Sequence, residues 1–446
     1  MNGHIDSQLI KSVCSEIEGT FTITFMAKGV CFDMNRLKEG EIFVPMNDQR
    51  YDGHQFIETA IENGAVATFW KKDHDLPPTL PNNFPIFFVD DPLEAVEKMA
   101  DRYLFEVDPV RIAITGDYSR FSTKAVMKRV LGKSYTIHDT TEGSGNQLYV
   151  IETILSMPNE TDALIYEVPS SKEKLSYVSK LLQPSFAIIT EMDEMNRTST
   201  HIEDGMKRSG TLFIDGDFDV DQYDWTADVM KFGYAEDNIF KVHKVERKEE
   251  VVTFQIAGVL FMDFELPVLL SRHIKPVAGV IGMAIHLGLG ADKIYSALKS
   301  LTLEDLSLDH IGMAEKSVVL FDHGNVEESD VEYSLGMVKH LHDFDRRVVI
   351  VDEGFQANPL DKTLHETFAM HMSPPITDVI TIGEKAFWVT EALKRVGDDK
   401  LNNKHFNNHA EAIDTFKELL ESSSLILYRG ANRELLEQII NELNRR

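Results

Sequence analysis

The residues best placed to do chemistry lie in Arg111–Gly132, where an apolar run leads into a short polar loop and then an amphipathic stretch. This order predicts a strand, a tight turn and a helix, which together point backbone N–H groups and the helix dipole at a phosphate. The small and polar residues that would form such a site are Thr115, Gly116, Arg120, Ser122 and Thr123. The segment therefore predicts a nucleotide-type loop.

The side chains of this loop do not complete the expected chemistry. A phosphate loop also needs a second glycine, a lysine for the β- and γ-phosphates and a hydroxyl for Mg²⁺. In the spacing G-x-x-G-K-T counted from Gly116, those places hold Ser119, Arg120 and Phe121. Phenylalanine cannot ligate Mg²⁺, and the planar guanidinium of arginine does not replace lysine in a tight cradle. A hydroxyl one or two residues further along could serve in a shifted register, but the sequence predicts a degenerate loop.

Two segments resemble a known family. Thr115–Lys124, TGDYSRFSTK, resembles the TGxxGKTTTK loop of the Mur ligases, and Glu41–Trp70 contains DGHxF followed by A-x-x-x-GA. The second pattern is similar to the members that add D-Ala-D-Ala to a UDP-muramyl-tripeptide during peptidoglycan synthesis. The resemblance covers nearly the whole chain. It implies a three-domain α/β architecture, with a central, mostly parallel sheet of the P-loop type and a C-terminal Rossmann-like domain.

The resemblance also implies a set of site residues. Glu167, at the end of an apolar strand, matches the Mg²⁺-binding glutamate of the family, and Asn146 matches an asparagine on the substrate side. His273, Asp322 and Asn325 match positions on the nucleotide-base side. Glu167 is thus a candidate Mg²⁺ ligand, although no complete metal site is predicted.

The departures from the family pattern fall where ATP, metals and substrates would be held. In ungapped counting, Asn196 and Gly210 stand where the family has a metal-binding histidine and a carbamylated lysine. Mg²⁺ needs hard oxygen ligands in near-octahedral order, so this set is depleted. We therefore expect a catalytically degenerate relative that acts by binding or regulation. Its expected partner is a cell-wall enzyme or a muramyl-peptide precursor, and no nucleotide cofactor is predicted.

Two other functions stay open. The family resemblance implies an active ATP-dependent amide ligase, which would use Mg-ATP to make an acyl phosphate that the amine of D-Ala-D-Ala attacks. Lys207 or Arg208, close to Gly210, could then compensate for the missing groups. The third function is the binding of a different ligand in an inter-domain cleft.

Length and element pattern predict how these residues are positioned. A chain of 446 residues exceeds one ordinary core. From Val110 onward, apolar strands alternate with helical patterns, which is typical of a parallel sheet covered by helices on both faces. This pattern predicts domains at 1–107, 108–312 and 313–446, and the family resemblance implies that the first is UDP-sugar-binding-like, the central one ATPase-like and the last a C-terminal α/β domain.

Composition narrows the classes of partner and compartment. The net charge of −28 disfavours nucleic acid, and two cysteines exclude a disulfide framework. No stretch approaches the roughly twenty apolar residues of a membrane span. The sixteen histidines are scattered, and His340 and His342 are poorly spaced to share an ion on a helix. The sequence thus predicts a soluble, cytoplasmic protein without a histidine metal site.

Overall fold

A computed structural model describes residues 4–14, 16–34, 36–46, 52–116, 119–140, 148–168, 172–190, 197–248, 251–257, 262–302, 305, 309–314, 317–322, 334–336, 338–339, 344–352, 368–396, 401–430, 436–438 and 440–441. Strands and helices alternate along most of the chain, as the apolar pattern predicts. Within the described part of the chain, no helix is long and apolar enough to cross a membrane.

The N-terminal part forms a five-stranded sheet and a two-stranded ribbon. Its strands are β1 Ile5–Asp6, β2 Glu16–Glu18, β3 Met26–Ala27, β4 Val30–Cys31, β5 Ile42–Phe43, β6 Ala67–Lys71 and β7 Ile86–Val89. Its helices are α1 Ser7–Lys11, a 3-10 helix Gly53–Phe56, α2 Ile57–Glu62 and α3 Pro92–Val107. The sheet order is β2-β7-β6-β5-β4, with β2 antiparallel to β7 and the other pairs parallel. A core that includes Trp70, Phe43 and Phe88 lies against this sheet.

Local sequence sets the ends of α3. The Asp91 carboxylate accepts hydrogen bonds from the N–H groups of Leu93 and Glu94 at 2.8 and 3.1 Å. Pro92 occupies the first turn, where its missing N–H has no helical partner to lose. The helix ends at Asp108, whose φ of 45° is left-handed. These signals fix where the chain leaves the helix for the strand that follows.

A nine-stranded mixed sheet forms the central part. Its strands are β8 Val110–Thr115, β9 Ile137–Asp139, β10 Ala163–Glu167, β11 Phe186–Ile189, β12 Thr211–Asp215, β13 Asp228–Gly233, β14 Phe240–Arg247, β15 Val251–Ile256 and β16 Phe264–Pro267. Its helices are α4 Ser119–Leu131, α5 Tyr149–Leu155, α6 Lys172–Leu182, a 3-10 helix Arg197–Gly205, a 3-10 helix Val268–His273, α7 Ile274–His286 and α8 Ala291–Lys299. The order is β16-β15-β14-β13-β12-β11-β8-β10-β9, and the pairs β14/β15 and β15/β16 are antiparallel. Every residue of β10 and β12 is buried, as expected for strands covered on both faces.

The C-terminal part forms a six-stranded sheet of order β17-β18-β22-β19-β20-β21. Its strands are β17 Asp309–Ala314, β18 Ser317–Asp322, β19 Arg346–Asp352, β20 Asp378–Ile382, β21 Asn402–Phe406 and β22 Ser424–Arg429. Two of its helices are α9 Phe387–Val396 and α10 His409–Leu420. β17 is antiparallel to β18 and the other pairs are parallel, so this sheet is of the α/β type.

The chain forms two compact units. The first consists of Met1–Ala113, Tyr135–Ala187 and Thr198–Thr211, and the second consists of Ile114–Ser134, Ile188–Arg197 and Leu212–Arg446. The three domains at 1–107, 108–312 and 313–446 stay a prediction.

Candidate functional site

The predicted strand, turn and helix around Gly116 are present in the second unit. Thr115 ends β8 and is fully buried, and its carbonyl accepts the Thr190 N–H at 3.0 Å. Gly116 follows with a φ of 132°, which favours glycine because side chains rarely adopt that conformation. The strand end and the glycine that precede the predicted loop are therefore present, and the nucleotide role of the loop stays a prediction.

Arg120 lies at the lysine position of the family loop and points into the loop. Its side chain is buried, and Nη1 donates to the carbonyl of Gly116 at 3.2 Å. A phosphate-binding lysine would instead extend toward the β- and γ-phosphates. Asp117, Tyr118 and the side chain of Phe121 lie outside the described residues. The Arg120 guanidinium thus bonds to the backbone at the start of the loop.

The two hydroxyls that could replace the Mg²⁺ ligand are also bonded within α4. Ser122 Oγ and Thr123 Oγ1 donate to the carbonyl of Ser119 at 3.0 and 2.6 Å. Both side chains are buried. Serine and threonine side chains in helices commonly donate hydrogen bonds to the carbonyl three or four residues earlier. Both hydroxyls therefore donate their hydrogen bonds within the first turn of α4.

Glu167 stands at the end of β10 in the first unit. Its side chain is fully buried, and its N–H donates to Thr140 Oγ1 at 3.5 Å. Asn146, predicted on the substrate side, lies outside the described residues, as does Asn196. The metal role of Glu167 stays a prediction.

Gly210, the position that ungapped counting assigns to the family lysine, has little room for a side chain. Its N–H donates to the carbonyl of Lys207 at 2.8 Å. A Cβ added to Gly210 would lie 2.8 Å from that carbonyl oxygen and 3.2 Å from the carbonyl oxygen of Ser185. Lys207 Nζ lies 3.9 Å from Asp108 Oδ1, so its charge already faces a carboxylate. The local backbone therefore opposes a lysine at position 210.

The predicted nucleotide-base residues lie in separate elements of the second unit. His273 ends the 3-10 helix before α7 and is buried. Asp322 ends β18, opposite Arg429 of β22, and its side chain lies outside the described part of the structure. Asn325 also lies outside the described residues. Their nucleotide-binding roles stay a prediction.

A polar centre that sequence reasoning missed lies at the DGH motif in the first unit. Asp52 Oδ1 is 2.8 Å from His54 Nδ1, and Asp52 Oδ2 is 3.0 Å from His74 Nε2. The two imidazole rings stack with centroids 4.1 Å apart. The spacing Asp-x-His was a usable signal, but His74 follows β6 and nothing local in its sequence marks it. We call these residues the Asp52–His54–His74 cluster.

The pKa of His54 and the pKa of Asp52 are both lowered in the cluster, for different reasons. Burial lowers the pKa of His54, while the Asp52 carboxylate opposes that change. Burial raises the pKa of Asp52, but hydrogen bonds from the backbone and ring of His54 outweigh it, so the net pKa falls. These directions favour a neutral imidazole and an ionised carboxylate.

A second polar centre of the first unit surrounds Glu152 on α5. Its Oε1 accepts the Phe32 N–H at 3.0 Å, and its Oε2 lies 3.7 Å from Arg36 Nη1. The Arg36 guanidinium stacks 3.9 Å from the centroid of the Tyr149 ring. Burial raises the pKa of Glu152 to about 7, against the effects of the Phe32 N–H and Arg36. A buried carboxyl thus joins α5 to the segment that follows β4.

The chain is similar to known proteins in both sequence and structure. No protein-family model matches the chain. Over 452 residues it is 25% identical to the UDP-N-acetylmuramoyl-tripeptide–D-alanyl-D-alanine ligase of Bacillus subtilis, covering 97% of this chain and 98% of that protein. MurF from Acinetobacter baumannii has a TM-score of 0.66 at 17% identity, covering 99% of both chains. MurF ligase from Thermotoga maritima, in complex with ADP, has a TM-score of 0.61 at 17% identity, covering 94% of this chain and 98% of that one.

These likenesses confirm the predicted architecture. The three sheets form the α/β arrangement of the Mur ligases, including a central nine-stranded sheet that is mixed. The sequence similarity to D-Ala-D-Ala-adding ligases extends over the full length, as the DGHxF and TG-loop segments predict. The individual site residues are not tested by this similarity and stay predictions.

Proposed function

We propose that this chain is a homologue of the D-Ala-D-Ala-adding Mur ligases that works in peptidoglycan precursor synthesis by binding rather than by ATP-dependent ligation. Its partner on this proposal is a muramyl-peptide precursor or an enzyme that handles one. The full-length similarity to the Bacillus subtilis ligase supports the place in precursor synthesis. The side chains of the loop after β8 support the loss of ligation.

The orientation of Arg120 carries the proposal. Its guanidinium is buried and donates to the carbonyl of Gly116. Freeing it for a phosphate would leave a buried carbonyl without this donor, which costs about 1–3 kcal/mol. The planar fork also cannot take the place of an ammonium point charge in a tight cradle. The residues present do not fit Mg-ATP, so we derive no phosphoryl-transfer step through it.

The surroundings of Gly210 give independent support. A lysine there would meet the carbonyl oxygens of Lys207 and Ser185 at its Cβ. Removing one charge-stabilising donor from an active site typically costs about 10²–10³ in rate, or about 3–4 kcal/mol. Such losses need not add fully when residues act as one unit. Even partial additivity over Arg120, Phe121 and Gly210 leaves little transition-state stabilisation.

Calorimetric titration with Mg-ATP tests the nucleotide part of the proposal. We expect no saturable binding at micromolar ATP by the natural chain. The triple variant Ser119→Gly, Arg120→Lys and Phe121→Thr restores the family loop, and a gain of ATP affinity in it would locate the loss in the loop. Micromolar binding by the natural chain would contradict the proposal.

Phosphate release tests the loss of ligation directly. The chain is incubated with UDP-muramyl-tripeptide, D-Ala-D-Ala and Mg-ATP beside a Glu167→Ala control. We expect the two proteins to release phosphate at the same background rate. Turnover that Glu167→Ala abolishes would replace the proposal by an active ligase.

Titration of the precursor without ATP tests the binding role. We expect UDP-muramyl-tripeptide to bind the natural chain if the precursor is the partner. In a second outcome, the precursor fails to bind while a cell-wall enzyme co-purifies with the chain. If a charge-neutral control protein does not capture that enzyme, the enzyme is the partner. Binding of neither would contradict the proposal.

An active ATP-dependent ligase is the second candidate function, because Glu167 is kept at the end of β10 and is buried. In that case Mg-ATP would supply the phosphoryl group for activation of a carboxylate. Glu167 would hold Mg²⁺, and Ser122 or Thr123 would contribute the hydroxyl that Phe121 lacks. The phosphate-release measurement separates the two candidates.

A further inference from the structure

We propose that the Asp52–His54–His74 cluster is a binding site for a divalent cation of the zinc class. The inference does not depend on the proposed function, since the cluster lies in the N-terminal sheet region and involves no residue of the nucleotide loop. It assigns a ligand role to the histidine of the DGH motif and to His74.

The three side chains bring their donor atoms to one point. One ligand atom from each, two imidazole nitrogens and a carboxylate oxygen, lie within 4.8 Å of one another. Each imidazole approaches a different oxygen of Asp52, at 2.8 Å for His54 Nδ1 and 3.0 Å for His74 Nε2. In a tetrahedral zinc site with bonds of about 2.0–2.1 Å, neighbouring ligand atoms are about 3.3 Å apart. The two imidazoles approach different oxygens and stack with their centroids 4.1 Å apart, so a shared cation requires the rings to turn toward one another's donor atoms and to release any ring proton that faces Asp52.

The surrounding structure holds the ligands in place. Asp52 begins the 3-10 helix and accepts the His54 N–H at 3.0 Å, so its carboxylate is fixed relative to His54. Trp70 of β6 packs edge-on against the His54 ring with centroids 4.4 Å apart. The Trp70 Nε1–H also donates to the carbonyl of His74 at 2.9 Å. Trp70 thus contacts the His54 ring and the backbone of His74, and so holds the two residues near each other.

Solvent access leaves room for the rest of a coordination shell. The side chains of Asp52 and His74 are 43% and 35% exposed, whereas His54 is nearly buried. One face of the cluster is therefore open to water, as in zinc sites with three protein ligands and an open position. The net charge of −28 also raises the local concentration of cations.

The donor set selects the class of cation. Imidazole suits zinc, copper, iron and nickel, whereas Mg²⁺ and Ca²⁺ prefer oxygen ligands. Two imidazoles and one carboxylate are the ligands of several three-residue zinc sites. The geometry therefore points to Zn²⁺, and Co²⁺ is its spectroscopic probe.

The test is titration of the full-length chain, free of any polyhistidine tag and stripped of metal with a chelator, with ZnCl₂ by calorimetry and with CoCl₂ by visible absorption. We expect one tight equivalent per chain and the intense absorption of tetrahedral or five-coordinate Co²⁺. Millimolar Mg²⁺ should not compete. Absence of saturable binding by the natural chain would overturn the proposal.

Two variants keep the test falsifiable while preserving the fold. Asp52→Asn retains an oxygen for the His54 N–H, and His74→Asn changes a partly exposed side chain. Each should weaken Zn²⁺ binding at least about tenfold, the lower end of the loss seen when even an outer partner of a ligand is removed. Circular dichroism and the thermal midpoint of the metal-free variants should stay near the natural values.

His201→Asn is the matched control. His201 Nδ1 lies 3.3 Å from Asp204 Oδ2, so it forms a histidine–aspartate pair of similar geometry. The only group of three such ligands found among the described residues is the Asp52–His54–His74 cluster. His201→Asn should therefore bind Zn²⁺ as the natural chain does. Equal affinity in the Asp52 and His74 variants, or an equal loss in His201→Asn, would overturn the site.

Discussion

The loop after β8 and the Asp52–His54–His74 cluster satisfy their polar groups in opposite ways. In the loop, Arg120, Ser122 and Thr123 all donate to backbone carbonyls one turn or less away. In the cluster, side chains from separate segments face each other at 2.8 and 3.0 Å. The polar side chains described after β8 therefore bond to nearby backbone, whereas the side chains of the cluster bond to one another.

The difference teaches that a strand–loop–helix frame does not define a binding site. A frame supplies N–H groups and a dipole, but affinity for an anion also depends on which side chains remain available to it. Convergent side chains supply ligands whatever the backbone. Four substitutions test this contrast, from the largest expected effect to the smallest.

Trp70→Ala breaks the support of the cluster. Trp70 is fully buried, so the truncation should lower the free energy of unfolding of the N-terminal region by about 3–5 kcal/mol. Denaturant unfolding measures it, with Phe105→Ala as control, because Phe105 is 81% exposed and should change stability by less than about 0.5 kcal/mol. A similar small change for both would mean that Trp70 does not hold this region together.

Glu152→Gln tests whether burial or partners decide the chemistry of a carboxyl. Because the folded pKa is raised from 4.5 to about 7, the folded state binds the proton more tightly. The resulting stability is fully present below pH about 4.5 and is lost as pH rises to about 7, with an upper limit of about 3 kcal/mol.

The variant stays neutral, so its free energy of unfolding should lack that fall, and the difference between the two pH profiles isolates Glu152. Glu94→Gln, at an exposed surface pair with Lys98, is the control and should leave the profile unchanged. Parallel profiles for Glu152→Gln and the natural chain would show that the Phe32 N–H and Arg36 fully offset the effect of burial on the pKa of Glu152.

Gly116→Ala tests the frame of the loop. The φ of 132° is unfavourable for alanine, so we expect a loss of about 1–3 kcal/mol in the free energy of unfolding of the second unit. Gly290, with a φ of −68° and no heavy atom within 4 Å of an added Cβ, is the matched control and should tolerate alanine. Equal tolerance at both positions would argue against the strained turn.

Thr123→Ala should have the smallest effect. Its hydroxyl donates to the Ser119 carbonyl, and losing that bond should cost about 1 kcal/mol or less. The thermal shift on adding Mg²⁺ should be the same in the variant and the natural chain. A shift that depends on Thr123 would mean that its hydroxyl is a metal ligand and would favour the active-ligase candidate.

Much of the frame could be predicted because its causes are local. The run Ile112-Ala113-Ile114 is apolar at every residue and lies in the buried part of β8, and Asp91-Pro92 starts α3 through a cap. The φ of 132° at Gly116 also has a local cause, because glycine adopts this angle without strain. The DGHxF and TG-loop segments gave the Mur-ligase architecture.

The candidate site was predictable only in part. The replacement of lysine and threonine at Arg120 and Phe121 is visible in the sequence, but the direction of the guanidinium is not. Crowding at Gly210 comes from the nearby carbonyl of Lys207 at 2.8 Å and from the distant carbonyl of Ser185 at 3.2 Å, and both depend on the folded backbone conformation. Side-chain direction is set by packing, which sequence periodicity does not encode.

The sequence by itself determined the alternation of strands and helices, the caps and the residue types of the loop, because these depend on neighbours within a few positions. The tertiary structure decided which polar groups meet. His74 reaches Asp52 only because the turn after β6 packs beside the 3-10 helix, with Trp70 contacting both histidines. Long-range packing brings such atoms together, and therefore the same residue types form an internal bond network in one region and a convergent ligand set in the other.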